Sequence, residues 1–127
     1  MIVRHAHLGV AVAVGLAVAP LSEAPAGEAD VVAAEAVRLA GGGWRFDVSV
    51  AHDDTGWDHY ADRWDIVTAD GTVLGSRVLL HPHVGEQPFT RSLGDVAIPP
   101  GIDAVILRAR DSVHGLGGAE LTVTLNR

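Results

Sequence analysis

Between Trp44 and Val50 the chain reads Trp-Arg-Phe-Asp-Val-Ser-Val, apolar and polar residues in strict alternation. A repeat of two is the signature of a half-buried β-strand; an amphipathic helix would repeat every 3.6 residues. Trp44, Phe46, Val48 and Val50 therefore share one face, and Arg45, Asp47 and Ser49 the other. The same pattern recurs at Val105, Leu107 and Ala109, and again at Leu121, Val123 and Leu125. Before and between these runs lie turn signals: Gly41-Gly42-Gly43, Asp70-Gly71 and Pro99-Pro100-Gly101. Asp-Gly between two apolar runs is a hairpin signal. Tyr60, Trp64 and Ile66 are in phase on a further strand, and a bulge is expected at Gly94. The Ala-rich run from Val31 to Leu39 reads as an edge strand. About seven short strands in roughly 100 residues predict an all-β fold, a single antiparallel β-sandwich of immunoglobulin or fibronectin-III type. Trp64 is the candidate for its central core tryptophan.

The N-terminus reads differently. A short basic start, Met1 to His7, precedes the apolar run from Leu8 to Pro20, and Ala24-Pro25-Ala26 follows. This is the pattern of a secretory signal peptide with a small-residue cleavage site. The run is shorter than the roughly 20 residues of a membrane span. We expect a signal peptide over residues 1–26 and a sandwich domain over 27–127, with Ala24 and Ala29 as alternative cleavage points and an uncleaved anchor as the alternative to cleavage. No cysteine follows the apolar run, so a lipid anchor is not expected. The expected location is the periplasm, without stable membrane insertion after cleavage.

After cleavage the net charge is 8 − 15 = −7. An acidic exported domain is poorly suited to nucleic acid or to anionic lipid. The absence of cysteine removes thiol nucleophiles, thiolate zinc sites and disulfides together.

The remaining chemistry lies in five histidines, His52, His59, His81, His83 and His114, all outside predicted strand centres. Following strand direction through a sandwich of the immunoglobulin pattern brings all five histidines to one end, along with Asp53, Asp54, Asp58, Glu86 and Asp111. In His81-Pro82-His83 the proline stiffens an extended segment, so both imidazoles point to one side. Imidazoles with a carboxylate suit a first-row transition ion, and we expect copper or zinc as cofactor. The candidate ligands are His81, His83, His114, His59 and Glu86. Trp57, Asp58 and Asp111 are the candidate binding residues around them. A structural role is the alternative for the same histidines, hydrogen-bonding loop backbone and tying the loops together.

No catalytic residues are assigned. Asp111, Ser112 and His114 have the letters of a triad but are too close in sequence for its geometry. No nucleophile elbow, zinc-protease motif or phosphate loop is present. The expected partner is a metal ion or another exported protein. The alternative function is a protein- or glycan-interaction domain that uses the same loop end without metal.

Three segments, GWDHYADRWDI, GTVLGSRVLLHPHVGEQPFTRSL and RARDSVHGLGG, resemble an uncharacterised family of small exported Gram-negative bacterial proteins. The resemblance implies export and a one-domain architecture, and transfers no site residues.

Overall fold

The computed structural model describes residues 14–18 and 27–127. Eight strands form within them: β1 (Val14–Val18), β2 (Asp30–Arg38), β3 (Trp44–Ala51), β4 (Ala61–Val67), β5 (Val73–Val78), β6 (Phe89–Val96), β7 (Ala104–Asp111) and β8 (Leu121–Thr124). They make two antiparallel four-stranded sheets, ordered β1-β2-β3-β6 and β5-β4-β7-β8, in a β-sandwich. No described helix is long and apolar enough to cross a membrane.

The strand beyond the expected seven is β1, drawn from the apolar run read as a signal-peptide core. It pairs antiparallel with β2, from Val14 opposite Val37 to Val18 opposite Ala33. As a result β2 lies between β1 and β3, not at the sheet edge where its weak, Ala-rich pattern had placed it. Alanine lacks the bulk that marks a central strand, so sequence alone gave β2 no sign of two neighbours.

The alternating strips fill the space between the sheets. Trp44, Phe46, Val48 and Val50 from β3 meet Trp64 and Ile66 from β4, and Val105 and Leu107 from β7, all essentially buried. Removing each large side chain from water contributes about 1.5–3 kcal/mol, which drives the two sheets together. Tyr60 falls just outside β4 and is half-buried. Asp65 breaks the alternation as a buried carboxylate. Burial alone would raise its pKa, but hydrogen bonds from Ser76 at 2.7 Å, from Arg108 at 3.0 Å and from Arg63 hold it below the usual carboxylate value.

The expected turns hold. Thr68 and Thr72 close the β4–β5 hairpin around Gly71, whose φ of 89° suits glycine. The register of β3 against β6 shifts between Trp44 and Phe46, which places the bulge around Gly94 and Asp95. The end opposite these turns carries three long loops, residues 52–60, 79–88 and 112–120. They are bound to one another: Ser112 N–H donates to Tyr60 O at 2.9 Å, and His52 N–H to Gln87 Oε1 at 2.9 Å. The chain entering β2 joins them, with Val31 N–H donating to Ala119 O at 2.9 Å.

Candidate metal centre

Asp111 is the last residue of β7, and its carboxylate is fully buried. Oδ1 accepts the backbone N–H groups of Val113, at 2.7 Å, and of His114, so the carboxylate caps its own loop. Oδ2 faces three imidazoles: His59 Nε2 at 2.7 Å, His52 Nε2 at 2.9 Å and His114 Nδ1 at 3.0 Å. Burial would raise the Asp111 pKa, but the contacts from His114, His59 and His52 outweigh it and hold the carboxyl well below the usual range. The His59 pKa is raised, chiefly by its contact with Asp111.

His52, His59 and Asp111 form the described group that could hold a metal ion. One ligand atom from each lies within 4.8 Å of the others. Two ligands of one ion at about 2.0–2.2 Å stand roughly 3–4.4 Å apart, whereas His59 Nε2 and His52 Nε2 lie 2.7 Å and 2.9 Å from Asp111 Oδ2, so these atoms would spread slightly to admit an ion. His114 reaches Asp111 from the exposed side and extends the cluster without joining that triple.

Behind His52 sits a second buried carboxylate, Asp54. Its Oδ1 contacts His52 Nδ1 and accepts Ala61 N–H at 3.0 Å, while Oδ2 accepts His83 N–H at 2.7 Å. Both nitrogens of His52 thus face carboxylate oxygens. A neutral imidazole donates from one nitrogen only. When Nδ1–H donates to Asp54, the Nε2 lone pair points at Asp111 Oδ2, 2.9 Å away, where either a proton or a metal cation would join the two atoms. A carboxylate behind a ligand imidazole is the usual way of fixing the metal-ready tautomer. Among the described residues no arginine contacts either Asp54 or Asp111.

The expected site residues divide into two sets. His59 and His114, expected as ligands, meet Asp111, expected as a binding residue. His81 and His83 do lie side by side, ring centroids 4.6 Å apart, as the stiff His-Pro-His segment implies. They are not brought into the Asp111 group. The His83 ring turns inward and stacks on Phe89 at 3.9 Å, with both nitrogens buried and unpartnered. Burial, then the positive charge of Arg91, lowers its pKa. His81 is exposed and its Nδ1 stands 2.9 Å from Pro82 O. Glu86 is exposed and pairs with Arg91 at 3.3 Å. Trp57 is 67% exposed and meets Tyr60 edge-on at 5.6 Å, and Asp58 is exposed beside it.

The candidate ligands read from the sequence leave out His52, and Asp54 has no role of its own among them. The signal was present as His52-x-Asp54 at the end of β3, the same i, i+2 spacing as His81-x-His83. Gly27 was also missed as a member of the site. Its carbonyl oxygen lies 3.2 Å from His52 Nε2 and 3.1 Å from His59 Nε2.

The chain is similar to a protein of Halomicrobium mukohataei named "Putative lipoprotein", with 41% identity over 102 residues, 80% of this chain and 50% of that one. The chain therefore spans about half the length of that relative. No family model matches the chain, and no solved structure matches it.

Proposed function

We propose that this is an exported, periplasmic binding module for copper or zinc, with His52, His59 and Asp111 as ligands and Asp54 behind them. One observation carries the reading: two buried carboxylates, Asp54 and Asp111, have imidazoles and backbone amides as partners but no guanidinium. Buried charge is costly unless it is compensated. A divalent cation between the two imidazoles and Asp111 supplies the compensation. Export is supported by the basic start, the apolar run and Ala24-Pro25-Ala26, and by the lipoprotein name of the 41% identical relative.

Titration calorimetry with Cu(II) and Zn(II) tests this. We expect one ion per chain, and at least about a tenfold loss of affinity for His52→Ala or His59→Ala, the loss expected when a metal contact is removed. His81→Ala combined with His83→Ala should leave affinity within a few-fold. Equal losses in both sets, or no binding tighter than about 100 μM by the wild type, would return the cluster to a structural role.

A second reading has its own observation. Trp57, Leu80, Val84, Val113 and Leu116 are large, exposed and carried on the three loops of this one end. An apolar rim of this kind suits contact with another exported protein or a glycan. Metal-independent binding that Trp57→Ala abolishes would favour this reading over the first.

A further inference from the structure

Gly27 reaches the cluster from outside the three loops. A Cβ on this residue would come 2.5 Å from His114 Cε1 and 3.0 Å from its Nε2, and the backbone φ is +99°. In the uncleaved chain both facts favour glycine here. The same residue follows Ala24-Pro25-Ala26 directly, so cleavage after Ala26 makes Gly27 the first residue of the mature chain. Sequence chemistry and site geometry thus meet at one position by separate routes.

We propose that cleavage between Ala26 and Gly27 creates a ligand: the freed α-amino group of Gly27 joins His52, His59 and Asp111 in a Cu(II) site. This rests on the reading of that cluster as a metal centre. In the cleavage, water adds across the Ala26–Gly27 peptide bond, leaving a carboxylate on Ala26 and an amine on Gly27. The peptide nitrogen beforehand is a poor ligand, because its lone pair is delocalised into the adjoining carbonyl. The amine has that lone pair free. Bond lengths hold it within about 4 Å of its own carbonyl oxygen, the atom already against His52 and His59. Loss of the preceding residue also releases the φ restraint, so the nitrogen can turn inward. Amine and carbonyl oxygen of one glycine can close a five-membered chelate ring. Three nitrogens and a carboxylate oxygen form the mixed N/O set that Cu(II) takes in tetragonal geometry, and Cu(II) stands highest in affinity among the divalent first-row ions. The uncleaved chain lacks one of these four donors and binds Cu(II) more weakly.

The composition provides a clean test. All nine basic side chains are arginine and the chain has no lysine, so the α-amino group is the only primary amine in the protein. Protein recovered after export is checked by mass spectrometry for Gly27 at its N-terminus. It is then titrated with Cu(II) before and after mild amine acetylation, with a metal-free melt of each to verify the fold. We expect acetylation to leave the melt unchanged, to weaken Cu(II) binding at least about tenfold, and to remove one nitrogen coupling from the electron paramagnetic resonance spectrum. Unchanged affinity and couplings after acetylation overturn the proposal and leave the His52–His59–Asp111 reading standing. Failure of both forms to bind Cu(II) overturns the two together. A first residue other than Gly27 overturns the proposal alone.

Discussion

Replacing Asp54 by asparagine removes a buried charge while keeping the side chain's shape and all three candidate ligands. Asp54 makes three contacts: two at Oδ1, to His52 and Ala61, and one at Oδ2, to His83 N–H. The amide oxygen of asparagine best replaces Oδ1, which puts its NH₂ against the N–H of His83. That loss of one hydrogen bond to a charged acceptor costs about 1–3 kcal/mol. A second effect opposes it. Asp54 and Asp111 contact opposite nitrogens of the His52 ring, and like charges on the order of 7 Å apart repel by about 2 kcal/mol at an effective dielectric constant of 20. Without metal the two nearly cancel, so Asp54→Asn should change the unfolding free energy by no more than about 1 kcal/mol. With metal bound the repulsion is already neutralised and the loss stands alone. Affinity should then fall about 10- to 100-fold, the usual cost of removing a carboxylate behind a ligand imidazole, or about 1.4–2.7 kcal/mol. Urea unfolding with chelator and then with saturating Cu(II), together with calorimetric titration, separates the two states. A variant that matches wild type in affinity, or that loses the same stability with and without metal, would refute the charge argument.

Two further outcomes follow from the core and from His83. Trp64 is completely buried, so Trp64→Ala should lower stability by about 3–5 kcal/mol in urea unfolding, and a loss below about 1 kcal/mol would contradict its central place. His83 has a folded pKa below its ordinary value, so below pH of about 6.5 the unfolded chain binds the proton first and stability falls as pH drops toward the folded value. The raised pKa of His59 acts oppositely, with stability present below about pH 6.5 and lost as pH rises through its folded value. The difference between wild type and His83→Leu, unfolded in chelator from pH 5 to 8, isolates the first slope; parallel profiles would show that His83 titrates alike in both states.

The strands were legible because burial on one face leaves a period that sequence preserves. Trp44 to Val50 and Val105 to Ala109 pack as their alternation requires. The gathering of the histidines at one end was legible too, since strand direction assigns loops to ends once the immunoglobulin pattern orients the strand before His114. Asp54 links His52 to the backbone of His83, and Asp111 links His52, His59 and His114. Which rings converge was not legible. The His81–His83 spacing correctly implied neighbouring rings, but nothing local shows that Phe89 offers His83 an apolar face. The roles of Asp54 and Gly27 depend on contacts across 25 residues or more, to His83 and His52 respectively. Such contacts exist only once three loops and a strand entry have met.

The placement of β1 bears on how molecules of this protein meet one another. β1 covers the outer side of β2 and also packs against β8, where Gly15 approaches Thr124 so closely that any side chain would strike its carbonyl. Removal of residues 1–26, as proposed for maturation, takes this strand away and leaves the hydrogen-bonding groups of Ala33 to Val37 facing outward. An open edge is a template for another chain. Glu35 and Arg38 place opposite charges three residues apart along it, which resists careless pairing while permitting a partner whose charges match. Maturation would thus convert a self-covered strand into the flank along which copies of the domain could assemble.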